Sequence, residues 1–359
     1  MIFRQLIDAT TSTLTYLLAD ETSREALLVD CVFEQHLRDL ALIRELGLTL
    51  TTTLETHVHA DHVTGAWLMK HALGSKIGVA EASGAQGYDL GLSHGDVVKA
   101  GGLRLEVRAT PGHTAGCLSF VLPERRMVFT GDALLIRGAG RTDFQEGDAR
   151  QLFRSVREQL FSLPEDFTVY PGHDYSGRCS STIAEERRHN PRLGDGVREQ
   201  DFVGYMENLG LPHPNKLDVA VPANLVCGRP EDTTLIPRSP DWGPVIRTYA
   251  GVWQVEPEWV RTHTDELYVI DVREHEEVKA SPMGSVPGSR VLPLSTLRAR
   301  VDEVPRDRPV VVVCPAGARS AIAATILEKA GVERVANVRG GLLEWIALGL
   351  PTAVVPAAE

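Results

Sequence analysis

Cysteine is scarce in this chain: five among 359 residues, at positions 31, 117, 179, 227 and 314, with no CxxC pair. A set this odd, sparse and irregular does not make a disulfide framework and suits a reducing compartment with free thiols. Long apolar runs are missing as well. None approaches the ~20 residues that span a bilayer, and the opening MIFRQLIDATTSTLTYLLADE alternates polar and apolar residues too often for the core of a signal peptide. A cytoplasmic location with no membrane partner is the expectation. Basic residues are outnumbered, 37 Lys and Arg against 48 Asp and Glu, for a formal charge of −11. A polyanion would be repelled on average, so nucleic acid is not an expected partner. Small anions remain admissible, because a few arginines in one cleft can dominate the local field. Low-complexity tracts and internal repeats are absent too, which removes repeat architectures.

What is present is an ordinary globular composition, 43% apolar and 24% charged with 32 glycines and 21 prolines, able to bury a sizeable core. At roughly 100 to 200 residues per domain the length argues for two domains. Pro and Gly concentrate in VPANLVCGRPEDTTLIPRSPDWGP, from Val221 to Pro244, which reads as a connector with the boundary near residue 240. Domains over 1–240 and 247–359 are therefore expected. In the first, Thr13–Leu18, Ala26–Val29, Leu103–Val107 and Met127–Thr130 have the short alternating or β-branched character of strands. Helical periods over Phe33–Leu46, Val63–Leu73, Ala149–Leu160 and Ser180–His189 intervene, the pattern of an α/β sandwich. In the second, strand-like Leu267–Asp271, Val310–Cys314 and Arg334–Val338 each lead into a helical pattern, which predicts a small parallel sheet with helices on both faces.

The strongest chemical signal is THVHADH, holding His57, His59, Asp61 and His62. In extended chain His57 and His59 project to one side, and a turn brings Asp61 and His62 round. His113 in TPGHTAG, Asp132 in FTGD and His173 in YPGHD each follow a strand-like run beside glycine, where side chains can converge. One such histidine is ordinarily a satisfied core or surface residue. Seven imidazole and carboxylate donors together suit a transition metal, and the lack of thiolates points to an open reactive site rather than a closed structural one. Two arrangements fit the residue types: all seven on two metals bridged by Asp132, activating hydroxide for thioester hydrolysis, or His57, His113 and Asp132 as a facial triad on one Fe(II).

The H-x-H-x-D-H motif with its later His, Asp and His resembles the metallo-β-lactamase superfamily over about residues 1–230. The resemblance implies an αββα sandwich with metal at the sheet edges, and no particular reaction. After Asp132, ALLIRGAGRTDFQEGD looks like the persulfide dioxygenase branch and less like glyoxalase II. That likeness implies one Fe(II) per chain on His57, His113 and Asp132, with His59, Asp61, His62 and His173 as outer partners that orient ligands and exclude a second ion. It also implies that Arg137 and Arg141 hold the carboxylates of glutathione and that Tyr175 lies near its thiol. Taken alone, such arginines are usually solvated surface residues.

VVVVCPAGARS places Cys314 where an apolar strand ends and a helix opens, so backbone N–H groups and the helix dipole can stabilise a thiolate. A strand-end cysteine standing alone is more often a buried hydrophobe. IDVREHEEV, GSVPGSRVLPL, CPAGARSA and NVRGGLLEWIALGLP recur in the order of the rhodanese domain, which about residues 247–353 resemble. The likeness implies a C-terminal α/β rhodanese domain with Cys314 as persulfide carrier, Arg319 as loop organiser, and Asp271 and Arg273 as structural support. Ser285 stands where rhodaneses often have histidine, and Arg319 is the loop's one cation. The remaining cysteines read as packing residues.

Together the halves resemble persulfide dioxygenase–rhodanese fusions. The function implied is oxidation of glutathione persulfide by O2 to sulfite and glutathione, coupled to sulfur transfer between thiosulfate and glutathione through Cys314. A dinuclear zinc hydroxyacylglutathione hydrolase and a non-catalytic sulfane-sulfur sensor or carrier are the rival readings. Homo-oligomer formation stays open.

Overall fold

Every residue of the strand Thr13–Ala19 is buried. Tyr16 and Leu18 pack on one side and Leu17 and Ala19 on the other, so the strand's period of two meets apolar material on both faces. The structure is a computed structural model describing residues 1–212, 214–232 and 240–353. The chain divides into two compact units, Met1–Ile236 and Pro237–Glu359.

In the first unit, strands β1 (Ile2–Asp8), β2 (Thr13–Ala19), β3 (Glu25–Val29), β4 (Thr49–Leu54), β5 (Lys76–Ala80) and β6 (Leu90–Leu92) form one sheet in chain order. A second sheet has the order β12-β11-β10-β9-β8-β7, from β7 (Val97–Ala100), β8 (Leu103–Ala109), β9 (Leu118–Leu122), β10 (Met127–Gly131), β11 (Thr168–Pro171) and β12 (Ser181–Thr182). Tyr16, Leu18 and Leu27 of the first sheet meet Leu105, Phe120 and Phe129 of the second in a shared core. Helices α1 (His36–Glu45) and α2 (Ala66–Leu73) cover the outside of the first sheet through Ile43, Ala66 and Met69. Helices α3 (Ala149–Ser155), α4 (Ile183–His189) and α5 (Glu199–Glu207) cover the other through Leu152, Ile183 and Phe202. The layers run helix, sheet, sheet, helix, as expected.

Three elements differ from the sequence reading, the first being the helix expected over Ser180–His189, which begins at Ile183 because Ser181 and Thr182 pair with β11 as β12. The helix expected over Val63–Leu73 begins at Ala66, because loop partners hold the backbone before it: the Thr64 N–H donates to the Asn224 side chain and the Gly65 N–H to the Cys31 carbonyl. The connector expected from Val221 starts later. A helix α6 (Leu217–Asn224) occupies its first part, and the N–H groups of Trp67 and Gln86 donate to the carbonyls of Cys227 and Leu225, tying this stretch to the first unit. Residues 233–239, within the expected connector, and 354–359 lie outside the described residues.

The second unit contains β13 (Ile246–Arg247), β14 (Trp253–Val255), β15 (Tyr268–Asp271), β16 (Arg290–Val291), β17 (Val310–Val313) and β18 (Val335–Val338), in the order β13-β14-β18-β17-β15-β16. All its pairings are parallel except β13 with β14. In β17, Val310 and Val312 face one core and Val311 and Val313 the other, which explains why the run VVVV is continuous rather than alternating. Helices α7 (Pro257–Thr262), α8 (His275–Ala280) and α9 (Leu294–Leu297) come before α10 (Ala318–Lys329), which follows β17, and α11 (Gly341–Ala347) follows β18.

Candidate functional site

Beyond the end of β4 the chain leaves the sheet, and His57 and His59 sit, with His62, in the irregular loop before α2 rather than in the extended segment expected for the first two. Their rings are still adjacent, His57 to His59 at 4.0 Å and His59 to His62 at 4.3 Å between centroids. His113 follows β8, Asp132 follows β10 and His173 follows β11. Gly131 makes the turn into Asp132 with φ +49, and a Cβ there would meet Thr56 Oγ1 at 2.5 Å, so only glycine permits the approach.

His57, His113 and Asp132, all buried, offer ligand atoms within 4.8 Å of one another. Their orientation is fixed from outside the trio. The Thr56 hydroxyl donates to Asp30 Oδ2 at 2.9 Å, so at 3.0 Å from His57 Nδ1 it accepts the ring proton and leaves Nε2 as the free lone pair. His113 Nδ1 donates to the Arg141 carbonyl at 2.6 Å, with the same consequence. Burial, then the neighbouring His59 and His113, push His57 well below the ordinary histidine range, so it is neutral and able to ligate.

His173 lies between two carboxylates. Its Nδ1 donates to Asp132 Oδ1 at 2.7 Å and its Nε2 to Asp61 Oδ2 at 3.0 Å. Burial opposes its charge, but Asp132 and Asp61 together raise His173 well above the histidine range. Burial likewise opposes ionisation of Asp132 and Asp61, yet contact with His173 holds both carboxyls well below the usual range. His59, Asp61 and His62 form a second trio, and Asp30, Glu55 and His59 a third. Both nitrogens of His59 and the Nε2 of His62 are buried without a hydrogen-bond partner. Buried imidazoles, a carboxylate and ring nitrogens without hydrogen-bond partners make a donor set that fits a transition-metal ion.

Beside the first trio opens a cavity of about 330 Å³, walled also by Arg137, Arg141 and Tyr175. Tyr175 is 72% exposed and stacks on the His173 ring at 6.0 Å. Both arginines already have carboxylate partners. Arg137 is held by Glu186 and Glu185. Arg141 makes a bidentate pair with Asp143, both bonds 2.6 Å, and lies over the Phe144 ring. An anion entering the cavity would have to share them.

In the second unit Cys314 is buried at the end of β17, and Gly317, with φ +90, turns the chain into α10. The Gly317 N–H points at Cys314 Sγ at 3.2 Å and the Ser320 hydroxyl at 3.1 Å. Arg319 does not reach over the sulfur; it forms a bidentate pair with Glu277 at 2.7 and 2.6 Å. Asp271 and Arg273 are fully buried and paired, with Ser285 Oγ donating to Asp271 at 2.6 Å. Ser285 thus anchors a structural ion pair. All five cysteines are free, and Cys179, expected to pack inside, is exposed.

Residues 9–173 match the metallo-beta-lactamase superfamily and residues 256–348 the rhodanese-like domain. The chain is 51% identical over 229 residues to the mitochondrial persulfide dioxygenase ETHE1 of Homo sapiens, a similarity covering 64% of this chain and 89% of that protein. The crystal structure of ETHE1 from Myxococcus xanthus is 50% identical, with a TM-score of 0.62 over 64% of this chain and 100% of its own. The chain belongs to the persulfide dioxygenase family of the metallo-beta-lactamase superfamily. A metallo-beta-lactamase from Staphylococcus aureus, 21% identical with a TM-score of 0.61 over 94% of this chain and 98% of its own, shares the fold.

Around the candidate metal donors of this persulfide dioxygenase-family chain stand residues that the sequence did not single out. Asn224 lies inside the expected connector. Its side chain accepts from the Thr64 N–H at 2.8 Å and donates to the carbonyls of His59 at 2.9 Å and His62 at 2.8 Å, clamping the histidine loop. Thr56 and Asp30, which orient His57, and Ser320, which reaches Cys314, also went unmarked. Thr56 and Ser320 are direct neighbours of the motif residues, the one signal that could have found them. Among the described residues no helix is long and apolar enough to cross a membrane.

Proposed function

We propose that the first unit oxidises glutathione persulfide with O2 and water to sulfite and glutathione, and that the second moves sulfane sulfur between thiosulfate and glutathione. The observation that carries the reading is the asymmetry of the donor set. His57, His113 and Asp132 converge beside the cavity, whereas His173 spends both nitrogens on carboxylates. One Fe(II) per chain, held by these three residues, would supply the redox chemistry joining O2 to the persulfide sulfur. The chain's own residues do the rest. Thr56 and the Arg141 carbonyl hold the two imidazoles in the ligating tautomer. The cationic His173 steadies Asp132, and Arg137, Arg141 and Tyr175 line the space for glutathione.

In the second unit the Cys314 thiolate attacks the outer sulfur of thiosulfate, the S–S bond breaks and sulfite leaves with the electron pair. A glutathione thiolate then takes the outer sulfur from the Cys314 persulfide and regenerates the thiolate. The Gly317 N–H and Ser320 hydroxyl stabilise that thiolate whenever it is the leaving group, and Arg319, through Glu277, fixes the start of α10.

The second trio of His59, Asp61 and His62 favours the rival dinuclear zinc hydroxyacylglutathione hydrolase. Oxygen uptake with glutathione persulfide separates the readings: uptake abolished by His113→Ala, and untouched by Cys314→Ser, supports the dioxygenase. Fast cleavage of S-lactoylglutathione without oxygen uptake supports the hydrolase. Cys314→Ser is expected to abolish thiosulfate sulfurtransfer; transfer that persists removes Cys314 from its role.

A further inference from the structure

The second trio has what a cation wants, and among the described residues one side chain stands in its midst that can take the cation's place. Thr13 opens β2 and is fully buried. Its backbone is pinned to the turn that carries His173: Thr13 bridges His173, and the Leu14 N–H donates to the Gly172 carbonyl at 2.8 Å. The hydroxyl is thereby held 3.1 Å from His173 Nε2, 3.3 Å from Asp61 Oδ2 and 3.3 Å from His62 Nδ1. Thr11 Oγ1 lies 2.7 Å away and itself donates to Asp8.

We propose that Thr13 sets the metal count of the N-terminal site at one, its hydroxyl serving as the neutral stand-in for a second ion among Asp61, His62 and His173. A half-buried carboxylate between two buried imidazoles needs either hydrogen bonds or a cation. A hydroxyl, able to donate once and accept twice, supplies the former at the corner where these donors meet. The first trio has no such guest: Thr56 binds His57 from behind, on Nδ1, and leaves Nε2 open. The second trio's remaining atoms, His59 and His62 Nε2, stay unpartnered. The second site is thus latent: Asp61 and His173 are paired with each other, and the Thr13 hydroxyl sits against both of them and against His62 Nδ1, where an ion joining the three would have to sit. The inference rests on the one-metal reading given above and adds the residue that enforces it.

The test is a metal count. Full-length wild type, Thr13→Ala and Thr13→Ser, freed of metal and titrated with Zn2+ or Co2+, are analysed for bound ions per chain by mass spectrometry and, for cobalt, by its visible absorption. Wild type and Thr13→Ser are expected to stop at one ion, whereas Thr13→Ala binds a second, tighter by about 10- to 100-fold than any residual second binding in the wild type, the usual reach of groups behind a metal's ligands. Should Thr13→Ala fail to fold, Thr13→Gly, which likewise vacates the hydroxyl's position, carries the same expectation. A hydroxyl-free variant that folds and still takes one ion overturns the role of Thr13 alone. A wild type that binds two ions overturns both this role and the one-iron reading.

Discussion

Asn224→Ala is the sharpest perturbation of the histidine loop, because the amide touches only the loop's backbone and no imidazole or carboxylate of the donor set. The Asn224 side chain makes three hydrogen bonds of 2.8 to 2.9 Å in a buried setting, to Thr64, His59 and His62. Alanine leaves one N–H and two carbonyls without these partners. At a net ~1 kcal/mol per hydrogen bond, more where a buried group stays unsatisfied, the loss is ~3 kcal/mol. For a unit of this size each kcal/mol lowers the melting temperature by ~2–4 °C, so a fall of ~6–12 °C is expected. Differential scanning calorimetry of the metal-free full chain reads it, with the transition of the first unit identified as the one that rises when metal is added. The second unit's transition stays in place, and retained metal falls alongside. Asn224→Asp keeps the acceptor for Thr64 but sets a charge against two carbonyls, so it should be no better than alanine. A shift below ~2 °C for Asn224→Ala would refute the clamp, since even one of its three bonds is worth more.

Asp271→Asn should destabilise the second unit by roughly 3–5 kcal/mol, the effect of leaving a buried Arg273 without its carboxylate partner; an unchanged urea midpoint would show that the pair is dispensable. Asp39 is raised by burial to about 6 against the pull of Arg38. Its folded form therefore holds the proton longer than the unfolded chain, and its contribution is full below about pH 4 and lost as pH rises through about 6, on the order of 2 to 3 kcal/mol in all. Subtracting the stability–pH curve of Asp39→Asn from that of wild type should isolate this fall between about pH 4 and 6; a flat difference contradicts it. Ser320→Ala should slow sulfur transfer from Cys314 by about tenfold, as expected for one lost hydrogen bond to a charged group, with circular dichroism unchanged; wild-type transfer rates would remove Ser320 from the sulfur's surroundings.

Much of this arrangement could be read from the residues. THVHADH, the later His113, Asp132 and His173, and the VVVVC run place their chemistry at strand ends because local patterns of hydrophobicity and glycine govern where strands stop. Partners that come from distant sequence could not be read. Asn224 reaches His59 and His62 across more than 160 positions, and nothing in VPANLVCG distinguishes its amide from a connector's. The guanidinium groups of Arg137 and Arg141 could be placed near the cavity by resemblance, but their capture by Glu186, Glu185 and Asp143 depends on the packing of α4 and of the loop they sit in. Cys179 misled because thiols are usually buried, and here the turn after His173 carries it outward.

The Arg141 residue serves two masters: its carbonyl fixes the His113 ring, and its side chain walls the cavity. A guest that tugs the guanidinium therefore strains the peptide steering an imidazole, and occupancy of the cavity becomes thermodynamically linked to the grip on the ion. Whatever factor one event imposes on the other's affinity is returned in equal measure, so cofactor retention during purification is itself a gauge of what the pocket contains.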